Sequence, residues 1–285
     1  MLYEISDGVL SVKISDLGAE IKSVVYRGEE RAWQNENGAW AGTSPILFPV
    51  CGRTRVIVDG VDRNMTFHGF ARKRAFVCKN AGKSEATFVL ASCDETRAVY
   101  PFEFEFSVNY RVEKNAIIVK NEMKNTGSTA LAFALGRHDS FALRNGVGGY
   151  KLCFPCEERF LSPKTDEIAR LTDSFADLGG GRELPLPADY LTNGETIILG
   201  SINSDRVFLK TLDDRPVAEM DFGSVRNLLI WRAENSNMIC LEPWSALPDS
   251  SDGKVNEFLS DPRFTRVGAG ETKTFEFRIS YYPDR

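Results

Sequence analysis

Residues 102–113 read FEFEFSVNYRVE, and their alternation decides the fold class. Apolar side chains occupy every second position, which is the period of a strand that buries one face and exposes the other. Lys114 and Asn115 interrupt the alternation, and the next stretch, AIIVK at 116–120, is rich in β-branched residues. The whole segment therefore predicts two strands joined as an antiparallel hairpin.

The same period recurs at both ends of the chain. Leu10, Val12 and Ile14 alternate with polar residues near the start, and 274–281 reads TFEFRISY near the end. Further strands are predicted at 19–26, 74–79, 86–92, 196–202, 206–212 and 227–232. Many strands and few helices predict an all-β sandwich or barrel, and terminal strands without a long linker predict one domain over 1–285.

One short helix is predicted after Pro163. It is indicated by apolar residues at roughly helical spacing, Ile168, Leu171, Phe175 and Leu178. The glycine-rich stretch GGGR at 179–182 lacks the lysine of a phosphate-binding loop, so we expect a flexible loop there.

Composition excludes several partners. The 285 residues carry 35 basic and 40 acidic side chains, a net charge of −5, and no basic run. Neither nucleic acid nor an anionic membrane is therefore an expected partner. Glu4 and Asp7 stand where a signal peptide would be positive, and no apolar run approaches the length of a membrane span. We expect a cytoplasmic protein, either a monomer or a homodimer.

No cofactor or metal motif is present in the sequence. It has no phosphate-binding loop, no dinucleotide fingerprint and no zinc-protease motif, and it holds only two histidines. Cys153 and Cys156 form a C-x-x-C without the second pair that a metal site needs. The six cysteines are expected to be reduced, buried thiols, and neither metal nor cofactor is expected.

The two histidines are candidate site residues. His68 lies in FHGFAR at 67–72, and His138 lies in GRHDSF at 136–141, each close to a glycine and an arginine. Glycine allows close backbone approach, as binding sites often require. The alternative is that both imidazoles are hydrogen-bonded structural groups.

Glu242 and Arg53 are the charged candidates. Glu242 ends an apolar run and is followed by Pro243 and Trp244. Burial there raises the pKa of a carboxyl and makes it a better base, while tryptophan offers a flat apolar surface to a sugar ring. Arg53 follows an apolar segment and suits hydroxyl or carboxylate binding. Alternatively, Glu242 pairs with a structural arginine, Arg53 included.

Several separated segments together resemble the aldose 1-epimerase (galactose mutarotase-like) superfamily, most of all its LacX-type branch. They are, in chain order, Trp33-Gln34, Trp40, SPILFP at 44–49, Gly52-Arg53, HGFAR at 68–72, GRH at 136–138 and LEPWSALPD at 241–249. The resemblance spans essentially the whole chain. The order and separation of HGFAR and the Glu-Pro-Trp motif make it specific.

The resemblance implies a large antiparallel β-sandwich, the galactose mutarotase-like supersandwich, with few short helices and a sugar site on its concave face. It implies an isomerase that opens the ring of a hexose-type aldose at the anomeric carbon and so interconverts its anomers. By the resemblance, Glu242 is the general base and His138 the general acid. The implied substrate-binding residues are His68, Arg53, Arg72 and Trp244. Such a reaction needs one base and one acid and no electron carrier.

Two positions depart from the family pattern. Asp139 replaces the usual proline after His138 and is expected either to raise the pKa of that histidine or to face solvent. The second departure is at 191–196, LTNGET, which lacks the aspartate that many members place against sugar hydroxyls.

Three other functions stay open. Arg53, Arg72 and Arg137 suit a phosphate group, which makes a hexose-6-phosphate 1-epimerase an alternative. A non-catalytic sugar sensor would keep the fold without turnover. A glycoside hydrolase or lyase would need a second carboxylic acid across the site, and Asp139 is the candidate.

Overall fold

The computed structural model describes residues 1–186, 191 and 195–283. Its strands are β1 (Leu2–Ser6), β2 (Leu10–Ser15), β3 (Ile21–Tyr26), β4 (Glu29–Glu30), β5 (Ile46–Leu47), β6 (Ile57–Val58), β7 (Val61–Asp62), β8 (Val77–Ala81), β9 (Glu85–Ala91), β10 (Phe104–Glu113), β11 (Ala116–Asn125), β12 (Leu131–Phe133), β13 (Gly136–Arg137), β14 (Asp139–Ala142), β15 (Tyr150–Thr165), β16 (Leu171–Leu186), β17 (Ile197–Leu199), β18 (Arg206–Thr211), β19 (Pro216–Asp221), β20 (Asn227–Trp231), β21 (Met238–Trp244), β22 (Thr265–Val267) and β23 (Thr272–Tyr281). The helices are α1 (Asp94–Val99) and the 3₁₀ turns Ala71–Lys73 and Val147–Gly149.

Two large antiparallel sheets dominate the described part of the chain. One has nine strands in the order β16-β15-β18-β19-β23-β11-β10-β9-β8, and the other has six, β17-β20-β21-β13-β5 with β14 also paired to β21. Three smaller sheets in the described residues are the four-stranded sheet β1-β2-β3-β4 and the two-stranded sheets β12-β22 and β6-β7. Apolar side chains of both large sheets belong to one continuous buried cluster. The predicted all-β sandwich with few short helices is confirmed.

The alternating segment forms the centre of the nine-stranded sheet. Glu113 pairs with Ala116 at the turn, so β10 and β11 are the predicted hairpin, and β23 at the end of the chain pairs with β11 on its other side. The apolar positions of β10 are buried and its acidic positions Glu105 and Glu113 are more exposed. The period-two pattern therefore predicted both the strand and its buried face.

The helix predicted at 168–178 is wrong. Its residues belong to the tip of a long hairpin and to β16, which pairs antiparallel with β15. Ile168 and Phe175 are about half exposed, at 50% and 53%, so their spacing does not mark a buried helical face. A short apolar run fits either period, and here pairing with the neighbouring strand decides.

The expected loop at 179–182 is also wrong, because these residues lie within β16. The register of the hairpin shifts between Arg159 and Leu161 opposite this stretch, and Gly179 and Gly181 adopt positive φ of 88° and 127°. Glycine tolerates that conformation, so these glycines allow the irregular, bulged course of the strand and do not form a loop.

The cysteines are unpaired, as predicted. All six lie among the described residues and each is free, but only Cys51, Cys153 and Cys240 are buried. The expectation of burial is therefore wrong for Cys78, Cys93 and Cys156. No helix in the described part of the chain has the length and apolarity needed to cross a bilayer.

Phe48, just after β5, lies at the centre of an aromatic cluster in the buried core. Its fully buried ring stacks on Phe106 at a centroid distance of 4.9 Å and meets Phe104, Tyr100 and Phe70 edge-on at 5.3 to 5.7 Å. We expect Phe48→Ala to lower the free energy of unfolding by about 3–5 kcal/mol, because it leaves a cavity among aromatic rings.

Urea denaturation with the matched variant Phe175→Ala measures this. Phe175 is 53% exposed, so its truncation should cost no more than about 0.5 kcal/mol. Equal losses in the two variants would contradict the assignment of Phe48 to the core.

Candidate active site

Strand register brings His138 and Glu242 together. Gly136 pairs with Trp244 and Asp139 pairs with Leu241, so the register is the same on both sides of His138 and places it opposite Glu242. The His138 Nε2 atom lies 3.3 Å from Glu242 Oε1. Both residues are buried, with exposures of 7% and 2%. Two of the predicted site residues, far apart in sequence, are thus in direct contact.

His68 reaches the same place from a strained turn. His68 and Gly69 have positive φ of 65° and 72°, and the turn is held where the amides of Phe70 and Ala71 donate to the Phe48 carbonyl. The His68 ring lies perpendicular to that of His138 with centroids 5.7 Å apart.

A backbone hydrogen bond fixes the tautomer of His68. The amide of Gly52 donates to His68 Nδ1 at 3.0 Å, and the amide of His68 donates to the Gly52 carbonyl. Nδ1 is therefore an acceptor, and the neutral ring carries its hydrogen on Nε2, where it is a donor.

Three of the four tryptophans contact these imidazoles. Trp40 stacks on His138 at a centroid distance of 4.9 Å and an angle of 27°. Trp231 contacts the rings of Trp40 and His138 edge-on. Trp244 lies edge-on to His68 at 5.3 Å. The fourth tryptophan, Trp33, donates its indole N–H to the backbone carbonyl of Trp40 at 2.9 Å. The aromatic rings give the site flat apolar walls.

A cavity of about 300 Å³ opens among these residues. Its described lining is Trp40, Gly52, Phe67, His68, Arg72, His138, Thr165, Ala169, Thr196, Ile198, Leu229, Trp231, Glu242, Trp244 and Pro248. The volume is at the lower end for small-molecule sites, and it suits a monosaccharide better than a longer sugar. Apolar walls with a few convergent polar groups are typical of such sites.

Of the predicted site residues, only Arg53 does not line this cavity. Its guanidinium lies over the Phe67 ring, 5.3 Å from the centroid, and its Nε donates to the Ile168 carbonyl. Its predicted pairing with Glu242 is therefore wrong, while its predicted contact with the substrate stays a prediction. Arg53 supports a wall of the cavity, because it holds Phe67 on one side and the hairpin tip on the other.

Burial moves the pKa values of the contacting pair in opposite directions. It raises the pKa of Glu242 well above the usual carboxyl range, and the charge of Asp139 adds to the rise. It lowers the pKa of His138 to about 3, with a further contribution from the charge of Arg72. Burial also lowers the pKa of His68. Adding a proton to the pair would bury a cation and removing one would bury an anion, so the pair keeps a single proton over a wide pH range.

Asp139 does neither of the two things expected of it. It is buried, and its carboxylate accepts hydrogen bonds from Arg137 Nε at 2.8 Å and from the Ser44 hydroxyl. It neither faces solvent nor raises the pKa of His138, which is lowered. Since Asp139 and Arg137 are paired with each other and do not line the cavity, neither is available as a hydrolase acid or as a phosphate ligand.

Among the described residues, one cluster of potential metal ligands lies at the site. It is formed by His138, Cys240 and Glu242, whose possible ligand atoms lie within 4.8 Å of one another. Burial raises the pKa of the Cys240 thiol, so metal binding there would have to displace its proton. In a second cluster, Cys153 with Glu183 and Asp214, the ammonium of Lys151 already pairs with both carboxylates.

Sequence reasoning missed part of the cavity wall. Thr165 ends β15, and Ala169 lies in the tip of the β15–β16 hairpin, where local spacing had predicted a helix. Trp231 ends a correctly predicted strand but carried no motif of its own. Of the departure expected at 191–196, positions 192–194 lie outside the described residues, while Thr196 lines the cavity.

The fold and the cavity define a galactose mutarotase-like β-sandwich with an imidazole–carboxyl pair. The family model for aldose 1-epimerase matches residues 1–182, and the chain belongs to that family.

Individual relatives match over nearly their full length. The chromosomal protein LacX of Lactococcus lactis subsp. lactis is 29% identical, covering 98% of this chain and 99% of the relative. The structure of a galactose mutarotase related enzyme from Lactobacillus acidophilus superposes with a TM-score of 0.88 at 27% identity, covering 99% of this chain and 98% of that one. A galactose mutarotase-like protein from Lactobacillus casei superposes with a TM-score of 0.89 at 24% identity, covering 99% and 100%.

Gly69 lies in a part of the site that leaves no room for a side chain. A Cβ there would lie 2.1 Å from the Phe48 carbonyl oxygen, in addition to the strain of positive φ. We expect Gly69→Ala to cost about 4 kcal/mol or more of stability and to weaken sugar binding, because His68 must move.

Gly60→Ala is the matched control for this substitution. Gly60 has the same positive φ, 73°, but no described atom lies within 4 Å of its added Cβ. Its cost should be about 1–2 kcal/mol, the strain alone. Urea denaturation and sugar titration measure both variants, and equal effects would contradict the proposed close approach at Gly69.

Proposed function

We propose that the protein is an aldose 1-epimerase that interconverts the α and β anomers of a hexose-type aldose by acid–base ring opening. The observation that carries the proposal is the contact between His138 Nε2 and Glu242 Oε1, 3.3 Å apart in a buried, aromatic-walled cavity of monosaccharide size. Membership of the aldose 1-epimerase family supports the same reaction class.

The proposed reaction moves two protons and needs no net proton uptake. In the reactive tautomer the shared proton is on His138 and Glu242 is a carboxylate. Glu242 takes the proton from the C1 hydroxyl, and the released O–H electron pair forms the C1 carbonyl bond. The C1–O5 bond breaks, its electrons go to O5, and His138 protonates O5.

Ring closure reverses these steps after rotation about C1–C2. Opening leaves a proton on Glu242 and a neutral His138, which is the other tautomer of the same pair. On reclosure the O5 hydroxyl returns its proton to His138 as it attacks C1, and Glu242 returns its own to O1. Because both tautomers are net neutral, neither step buries an unbalanced charge.

The remaining groups bind and orient the sugar in this proposal. His68 offers its Nε2–H to a sugar hydroxyl, since its Nδ1 is taken by Gly52. Arg72 lines the cavity, and its buried Nε has no protein hydrogen-bond partner among the described residues. Trp40 and Trp244 offer flat faces to the pyranose ring. Arg72 is the only arginine of the described lining, so a neutral aldose is favoured over its 6-phosphate.

Polarimetry of freshly dissolved α-aldoses tests the function and the roles. We expect Glu242→Gln to abolish enzymatic mutarotation while sugar affinity changes less than about tenfold, and His138→Asn to lower kcat by at least ~10². His68→Asn should mainly raise KM, because it loses a binding donor. A larger kcat loss in His68→Asn than in His138→Asn would contradict the acid assignment.

The same assay separates the alternatives. Much higher kcat/KM for a hexose 6-phosphate than for the parent hexose would favour the phosphate-specific epimerase. Sugar binding without acceleration over the buffer blank for every aldose would favour the non-catalytic sensor.

The dependence of kcat/KM on pH follows from the burial of the pair. Because the pKa of His138 is lowered to about 3, kcat/KM should fall on the acid side only far below neutrality. Because the pKa of Glu242 is raised, the fall of kcat/KM on the basic side should move to higher pH. The neighbouring groups His68, Cys51 and Cys240 do not titrate near neutrality either, because burial lowers the first pKa and raises the other two.

We therefore expect blank-corrected kcat/KM to be flat through about pH 6.5, the ordinary pKa of histidine. A clear transition there would show that an ordinary, solvated histidine controls the reaction.

A further inference from the structure

The strand that carries His138 is interrupted at the catalytic position. Gly136 and Asp139 are bridged to β21, but Arg137 and His138 have no bridge to that strand in the described ladder. Pro243 lies opposite Arg137 in the same register and has no backbone N–H to donate. Backbone pairing to β21 therefore does not fix His138 at the point where its position matters most.

A side-chain network on the back of the strand spans this gap. Arg137 and Asp139 flank His138, and strand alternation directs both to the face opposite the imidazole. Arg137 Nε donates to Asp139 Oδ2 at 2.8 Å and its Nη2 donates to Oδ1 at 2.5 Å. The ion pair is buried, with exposures of 0% for Arg137 and 3% for Asp139.

Ser44 ties the pair to the neighbouring segment of the sheet. Its hydroxyl accepts from Arg137 Nη2 at 2.7 Å and donates to Asp139. Next to it, Ser140 donates its amide and its hydroxyl to the Thr43 carbonyl, at 3.0 and 2.7 Å. Directional hydrogen bonds thus hold Arg137 and Asp139 against Ser44, and Ser140 against Thr43.

Aromatic side chains close off the far side of the pair. The Arg137 guanidinium lies over the ring of Tyr110, 6.0 Å from the centroid. Charge interactions with the pair act on both Tyr110 and Tyr281, whose pKa values burial raises. The pair does not line the cavity and cannot touch a bound sugar.

We propose that Arg137, Asp139 and Ser44 are positioning residues, which hold the His138 imidazole opposite the Glu242 carboxyl where the β-ladder is interrupted. The inference rests on the proposed function, since it names what keeps that function's acid–base pair aligned. In this proposal Asp139 neither raises the pKa of His138 nor acts as the second acid of a hydrolase, the two roles that the sequence suggested.

Stability alone does not account for such a pair. Replacing a buried ion pair with apolar side chains of similar volume is often neutral or stabilising, whereas removing one partner is costly. Apolar contacts are not directional, so they cannot replace the geometry that Arg137, Asp139 and Ser44 impose. Stability and alignment can therefore be separated by substitution.

The deciding experiment compares the double variant R137M/D139L with the single variant D139N. D139N should unfold at markedly lower urea, because Arg137 is left as an uncompensated buried cation. R137M/D139L should recover most of that stability yet show kcat about 10²-fold below wild type, with KM within about threefold, because the imidazole is misplaced. Recovery of wild-type kcat together with stability would overturn the proposal.

Glu158→Gln is the control for loss of a buried carboxylate elsewhere. Glu158 accepts the amides of Asn203 and Ser204 at 2.9 and 2.7 Å and does not line the cavity. It should lower stability and leave kcat unchanged. A kcat loss in Glu158→Gln equal to that in R137M/D139L would show that destabilisation alone lowers turnover, and would overturn the proposal.

Imidazole NMR supplies a readout that does not depend on turnover. The chain has only two histidines, so selective labelling gives two imidazole spin systems, assigned with His68→Asn. In R137M/D139L the His138 signals should shift or broaden while those of His68 stay in place. If wild type is inactive on every aldose, the proposed function fails, and this spectrum still decides the positioning claim.

Ser44→Ala keeps the proposal testable if the double variant does not fold. Loss of the hydroxyl leaves the Arg137–Asp139 ion pair but removes its hydrogen bonds to Ser44. We therefore expect kcat to fall about 3- to 10-fold, and the His138 signals to move while those of His68 stay in place. Wild-type kcat and unmoved His138 signals in Ser44→Ala would overturn the proposal.

Discussion

The contact between a buried imidazole and a buried carboxyl is the interaction on which the rest of the site depends. His138 and Glu242 meet at 3.3 Å, in a wall where neither can ionise alone without leaving an unbalanced charge. Tryptophan rings surround the pair, and Gly136 leaves room for Trp244, since a Cβ there would lie 2.8 Å from its ring. The protein thus confines one proton to one pair, which is the requirement of a reaction that gives back each proton it takes.

Much of the fold could be predicted from local sequence, because a half-buried strand repeats every two residues. The hairpin of β10 and β11 and the terminal strand β23 followed directly from alternation. The β15–β16 hairpin could not be predicted in this way. The side chains of β16 are largely exposed, the register of the hairpin shifts at bulges, and the apolar residues of its tip and of β16 fit a helix as well as a strand. Only pairing across the hairpin decides between them, and that information is not local.

The site was predictable where a motif carried it and not where it depended on neighbouring strands. His68, His138 and Glu242 converge as the motifs suggested. Arg53 is not among the residues that line the cavity and lies over the ring of Phe67, and no local pattern indicates which face of a turn a long side chain takes. Asp139 was misassigned because 136–142 was not recognised as a strand. Alternation would have placed Arg137 and Asp139 together on the face opposite His138, where opposite charges pair.

A high-resolution structure of the protein with a bound aldose tests the central claim most directly. The account predicts one pyranose in the cavity, with O1 within hydrogen-bonding distance of the Glu242 carboxyl and O5 within hydrogen-bonding distance of His138 Nε2. A sugar bound outside this cavity, or bound within it with neither O1 nor O5 near the pair, would contradict the account.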